Sequence, residues 1–108
     1  MATSAGPFDL VYDTEVLKHL AAIDRKHHAL IRRTLEGRLR FEPLAETRNR
    51  KPLIRPSVLG DAWELRFGPR NEFRVFYTAD PDARRVLILA VGVKTGNRLK
   101  VGGKEFDL

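Results

Sequence analysis

The chain has 108 residues, a net charge of +6 and no cysteine. That length fits one domain around one core, and the missing cysteines exclude disulfides and thiolate metal sites, as suits a reducing cytoplasm. The longest apolar run, Val86 to Val93, is too short to cross a bilayer. Residues 1–7 lack the basic start and apolar stretch of a secretory signal, so they are read as a loose N-terminus of one soluble, cytoplasmic domain over 1–108.

The positive charge is unevenly spread. Residues 25–55 carry ten basic and three acidic groups, whereas residues 1–24 carry one basic and four acidic. A local excess of this kind suggests an anionic partner, although charge alone does not separate RNA from DNA or a membrane surface.

Phe8, Leu10 and Tyr12 alternate with other residues at a period of two, which predicts a short strand, and Asp13 can cap a helix that follows. Val16, Leu17, Leu20 and Ile23 then form one apolar stripe at helical spacing. Asp24 is the expected cap of a second helix, in which Ile31, Leu35 and Leu39 recur every four residues and Pro43 is the stop. Both stripes need a sheet to cover. His27 and His28 diverge by roughly 100° around a helix and are read as surface or helix-packing residues. Residues 45–59 have no period and are rich in charge and proline, so a long surface loop is expected there.

A β-hairpin follows. Trp63, Leu65 and Phe67 alternate with Glu64 and Arg66, residues 68–71 supply turn chemistry, and Phe73, Val75 and Tyr77 alternate again. A slip of one residue would turn one apolar row to the wrong face, so the register is fixed with Phe67 opposite Phe73. Trp63 then faces Tyr77, and Arg66 faces Arg74. Like charges directly across a sheet are unfavourable by a few tenths to about 1 kcal/mol, which marks this pair for a purpose other than stability unless Glu64 and Glu72 neutralise it on a solvated face.

Val86 to Val93 has the composition of a strand buried on both sides and is expected at the centre of the sheet, with Leu89 in the core. Ala90, Gly92 and Lys94 share one of its faces, combining space for a ligand with a cation. Gly96, Gly102 and Gly103 predict turns, with a short edge strand admitted at Arg98 to Val101 and a loose tail after it. Phosphate-loop, dinucleotide-binding and nucleophile-elbow motifs are absent, as is a histidine array for a metal, so no cofactor and no metal are expected.

The order strand, two helices, basic loop, antiparallel hairpin and central strand resembles the RelE/ParE superfamily of toxins from type II toxin–antitoxin systems. The strings Glu46-Thr47-Arg48-Asn49-Arg50-Lys51-Pro52-Leu53, Trp63-Glu64-Leu65-Arg66-Phe67-Gly68 and Phe73-Arg74-Val75-Phe76-Tyr77 carry the resemblance, and Gly92-Val93-Lys94 and Gly96-Asn97-Arg98 extend it. The fold this implies is α/β of the α+β kind: two N-terminal helices on a small, mostly antiparallel, twisted sheet in the order β-α-α-β-β-β.

The resemblance also implies a cognate antitoxin as partner and, in the RelE branch, cleavage of messenger RNA on the ribosome through attack by a ribose 2′-hydroxyl, with basic residues on the concave sheet face assisting. Arg66, Arg74 and Lys94 match the positions of those basic residues. Arg48, Arg50, Lys51, Arg55 and Arg98 are then expected to hold nucleic-acid backbone, since phosphates are contacted chiefly by Arg and Lys. The alternative for the loop cations is a solvated charge run. Two departures stand out: no tyrosine or histidine follows Tyr77, and Glu64 occupies a position where a second lysine would be expected. Glu64 is read as a charge partner of Arg66 or Arg74, or as a general base. The missing late tyrosine or histidine favours the rival activities, inhibition of DNA gyrase as in the ParE branch or RNA binding without catalysis.

Overall fold

The computed structural model describes residues 6–54 and 57–107. Strand β1 (Asp9–Tyr12) leads into helix α1 (Glu15–Ala21), and a 3₁₀ turn (Arg25–His27) runs directly into helix α2 (His28–Leu39). Asp13 caps the first helix, its Oδ1 accepting from the Glu15 amide at 2.9 Å, and Asp24 caps the 3₁₀ turn through the Lys26 amide at 3.0 Å. His28 ties the two helices: its Nε2 lies 2.8 Å from the carbonyl oxygens of both Leu20 and Ile23 at the end of α1, the first of which also accepts from the Ile23 amide at 3.0 Å. The remaining strands are β2 (Arg50–Pro52), β3 (Trp63–Phe67), β4 (Phe73–Asp80), β5 (Arg85–Thr95), β6 (Arg98–Val101) and β7 (Lys104–Glu105).

The expected order is present; β6 is the short strand admitted at Arg98 to Val101, flanked by β5 and β7 and so not at the edge, and β2 and β7 are added. The sheet runs β2-β3-β4-β5-β6-β7 by antiparallel pairing, and β1 joins β5 in parallel. Both additions correct the sequence reading. Arg50 to Pro52 is paired with β3 despite its proline, which is tolerated because β2 is an edge strand. The tail after Val101 is also not loose: Gly102 and Gly103, at φ +64° and +80°, make the tight turn of a β6–β7 hairpin.

Strand β5 organises the molecule. Along one edge it pairs with β4; along the other, β1 takes Arg85 to Ile88 and β6 takes Gly92 to Thr95. In the interval between β1 and β6 the Val91 amide donates to Nδ1 of His19, 3.3 Å away, so an imidazole from α1 stands in for a strand carbonyl. Burial holds the His19 pKa below its ordinary value, against the opposing pull of Glu15 and Asp13.

The β4–β5 register shifts once: Tyr77 pairs with Ile88 but Phe76 with Ala90, so Leu89 is the extra residue of a bulge. The bulge exchanges the faces of β5. Val86 and Ile88 before it, and Val91 after it, all pack in the core under the helices, whereas Ala90 packs on the opposite side. Leu89 itself belongs to neither cluster and is only partly buried, contrary to its expected place in the core.

The core between helices and sheet contains Val16, Ile31, Leu35 and Leu39 above Leu65, Phe67, Phe73, Val75 and Tyr77. The stripe expected on α1 is narrower than its sequence: Leu17 is 75% exposed, because a two-turn helix resting on Val16 and Leu20 rotates the intervening residue outward. Tyr77 is buried with its hydroxyl donating to the Pro43 carbonyl at 2.6 Å, which anchors the chain where α2 has ended.

Candidate active site on the open face of the sheet

Strand alternation places Glu64 and Arg66 of β3 on the face away from the helices, because Trp63, Leu65 and Phe67 are committed to the core. The hairpin has the predicted register, with Phe67 opposite Phe73, Trp63 opposite Tyr77 and Arg66 opposite Arg74. Across the sheet, Arg66, Arg74, Gly92 and Val101 form one row, and Lys51, Glu64, Phe76 and Ala90 form the next. Lys94, two residues beyond Gly92 on β5, continues the same face. The bulge at Leu89 is what brings it there.

The two guanidiniums are held apart by a carboxylate. Glu64 is 8% exposed; its Oε1 accepts from Arg66 Nε at 2.9 Å and its Oε2 from Arg74 Nη1 at 3.3 Å. Arg74, also 8% exposed, donates from Nε to the Asn71 carbonyl at 2.9 Å. Asn71 and its neighbour Arg70 adopt left-handed φ of 53° and 56°, a conformation that side chains other than glycine disfavour, so the turn before β4 is bent at an energetic cost in the course of presenting that carbonyl. Arg66 is the freer of the pair, with its side chain 45% exposed.

Arg66, Arg74 and Lys94 line one trough of about 430 Å3, together with Asn97, Arg98 and the tail residues Glu105, Phe106 and Asp107. The expected space above Gly92 is not part of it. A Cβ there would lie 2.8 Å from the Lys100 carbonyl oxygen and 2.9 Å from Val101, so β6 already fills that volume. The trough instead opens beside an apolar patch of Phe76, Ala90 and Val101, covered by Leu53, Leu59, Leu99 and Phe106. A second depression of about 490 Å3 adjoins it through Leu53, Glu64 and Arg66 and is bordered by Lys51.

The loop cations expected to bind nucleic acid separate into distinct groups. Arg48 is exposed at the tip of the turn between Thr47 and Arg50, and Lys51 is exposed at the border of the second depression. Arg50 is not available to a phosphate: it is 7% exposed, with Nε donating to the Ala45 carbonyl at 2.7 Å and Nη1 to the Arg38 carbonyl at 3.0 Å. It fastens the loop to the end of α2 instead. Arg98 lies at the trough in an exposed ion pair with Glu105, at 3.3 Å. Arg55 lies outside the described residues.

Sequence reasoning left out the tail. Glu105, Phe106 and Asp107 reach the trough because the Phe106 amide donates to the Leu99 carbonyl at 2.9 Å, and the Gly102-Gly103 pair was the signal for that hairpin. Glu64 was legible as a charge partner, but not as a partner of both arginines at once.

Two helices packed on one face of a mostly antiparallel sheet, with paired arginines and a lysine gathered on the other, define the class of RelE-like toxins. The chain belongs to the phage-derived Gp49-like family (DUF891), which matches residues 18–107 and falls within the RelE/ParE-like superfamily. Among solved structures it is similar to a chain of the toxin–antitoxin complex RelBE2 from Mycobacterium tuberculosis, at 25% identity and a TM-score of 0.70, over 88% of this chain and 100% of the other. No curated protein matches it.

Proposed function

We propose that this chain is the toxin of a toxin–antitoxin pair and that it cleaves messenger RNA on the ribosome, with Arg66, Arg74 and Lys94 contacting the reacting phosphate. The observation that carries this reading is the Arg66–Arg74 pair, set directly opposite each other on the open face and sharing a trough with Lys94. In the reaction the ribose 2′-oxygen forms a bond to the adjacent phosphorus and the bond to the 5′-oxygen breaks. The 2′-hydroxyl loses its proton, the departing 5′-oxygen gains one, and a cyclic phosphate remains. Negative charge accumulates on the non-bridging oxygens as the phosphorus becomes five-coordinate. Guanidinium and ammonium groups fixed beforehand stabilise that charge more than they stabilise the ground state.

Arg48, Lys51 and Arg98 are assigned to phosphates further along the RNA or to ribosomal RNA, where contacts supply affinity without reading sequence. The partner that restrains the activity is a cognate antitoxin; the similar chain of known structure comes from a toxin–antitoxin complex. The absence of a tyrosine or histidine after Tyr77 favours a second reading, poisoning of DNA gyrase by binding. One pair of assays separates the two. Programmed ribosomes with purified protein should yield cleaved mRNA by primer extension, while gyrase with plasmid should yield no trapped cleavage complexes; the reverse pattern establishes the gyrase reading.

A further inference from the structure

We infer that Glu64 is a positioning residue for the proposed reaction, a clamp that aims the two guanidiniums at one phosphate. This inference rests on the nuclease reading for its catalytic consequence, but the clamp itself is a property of the free protein. A carboxylate is costly to bury unless its charge is compensated and its oxygens accept hydrogen bonds. Glu64 meets both conditions by giving one oxygen to each arginine. Its own row offers no other route to satisfaction on one side, since Phe76 lies directly across from it.

The geometry determines which donors are left for substrate. Arg74 uses Nε on the Asn71 carbonyl and Nη1 on Glu64, so its Nη2 edge is the one these contacts leave unengaged. Arg66 uses only Nε on Glu64, which leaves both of its Nη groups. The carboxylate therefore holds each guanidinium by its inner side and turns the outer donors toward the trough. It also screens two like charges that the strand register sets opposite each other. Arg74 is fixed at two points and buried; Arg66 is fixed at one and half exposed. We read the first as the rigid donor and the second as the arm that follows the phosphate as its charge grows.

Glutamine is the informative replacement. It retains one acceptor oxygen, but its amide group would set N–H against N–H at one of the arginines, so one arm of the clamp must open while the packing volume is unchanged. Aspartate keeps the charge on a stem one methylene shorter and serves as a second variant. Misplacement of a reacting group by about 1 Å can cost on the order of 100-fold in rate. Glu64→Gln is therefore expected to lower the single-turnover cleavage constant on saturating programmed ribosomes by roughly that factor, with half-saturation moving less than about threefold, because Lys51, Arg48 and Arg98 still supply backbone affinity.

The test has two arms. In the first, the arginine side-chain Nε–Hε resonances of the wild-type protein and of Glu64→Gln and Glu64→Asp are followed by NMR, with water exchange measured for each. In the wild type, Arg66 Hε should exchange markedly more slowly than that of the exposed Arg33. In Glu64→Gln its protection should fall, while Arg74 Hε, bonded to Asn71, should keep most of its own. In the second arm, cleavage is measured as above. Wild-type exchange at Arg66 as fast as at Arg33 overturns the clamp whether or not any variant folds. Full cleavage by Glu64→Gln, with Arg74→Lys impaired, overturns the positioning role and leaves the nuclease reading intact. No cleavage by the wild type defeats the nuclease reading and the catalytic role with it, and the NMR arm still decides whether Glu64 aims the arginines.

Discussion

Replacing Arg74 by alanine tests the site and the fold together, and the structure separates the two effects. An arginine placed for chemistry and not for stability would, on replacement, lose activity with stability nearly unchanged. With the side chain buried and bonded to both Asn71 and Glu64, that expectation no longer holds. Breaking a buried ion pair outright costs about 3–5 kcal/mol, because a charge is left uncompensated. Here Glu64 keeps Arg66 at 2.9 Å, so the cost should fall below that range, to about 2 kcal/mol, with the orphaned Asn71 carbonyl contributing part of it. A domain of ordinary stability, about 5–15 kcal/mol, survives such a loss and can be assayed. Arg66→Ala removes a half-exposed partner and should cost about 1 kcal/mol or less. Urea melts of the two variants beside the wild type give the stability difference, and cleavage on ribosomes at a temperature where both are folded gives the rates. Each variant should lose on the order of 100-fold or more in cleavage. An Arg74→Ala protein within about 0.5 kcal/mol of the wild type would refute the buried bridge, and one that cleaves normally would refute the proposed site.

Leu65→Ala should destabilise by roughly 2–5 kcal/mol in a denaturant melt, whereas Leu89→Ala, at the bulge and outside both apolar clusters, should cost clearly less. Gly92→Ala forces a methyl against the Lys100 carbonyl and Val101, for a cost of about 1–3 kcal/mol, seen as a lower melting point and faster amide exchange in β6. His19 has a folded pKa below its ordinary 6.5, so as acidity rises the unfolded chain takes up the proton first. Its contribution is complete above that value and is lost progressively below it. His19→Gln should accordingly flatten the acid limb of melting temperature against pH, and an unchanged limb would remove His19 from that role. Mutating Arg48 and Lys51 together should reduce the log–log salt slope of single-stranded RNA binding by about 1.4, while Arg50→Ala should leave the slope alone and lower stability through its two lost carbonyl contacts.

How much of this was legible in the sequence depended on whether one residue's neighbours constrained it. The β3–β4 register was readable because three core-facing residues on each strand admit only one alignment, and the opposition of Arg66 and Arg74 followed from it. The helices were readable from the fourfold spacing of Ile31, Leu35 and Leu39. Arg50 was misread because a run of basic residues carries no period: nothing local distinguishes the cation that turns inward to two carbonyls from those at its sides that stay in water. The bulge was invisible for a related reason. An unbroken run of branched and leucine residues fits either face, so the position of the register shift is set by β4 and the helices and not by β5 itself. Leu89 was misassigned, and the room imagined above Gly92 was filled by a strand whose approach the sequence only hinted at.

That single extra residue makes β5 behave as two half-strands of opposite parity. Upstream of Leu89, even-numbered residues such as Val86 and Ile88 serve the interior; downstream, the even-numbered Ala90 lies on the open side, and Gly92 and Lys94 follow it there. Straightening β5 with every residue kept would restore uniform alternation from the β1 pairing and carry the lysine's side chain toward the helices and a valine's toward the trough, whereas removing Leu89 itself would leave each on its present face. What the bulge reconciles is a count: with the extra residue in the chain, both surfaces survive only if the register shift is kept. Related chains can be expected either to keep a bulge between Ile88 and Val91 or to lack one residue there, since both arrangements leave the packed interior and the cationic surface in place; an extra residue without a bulge would disable both in the same event.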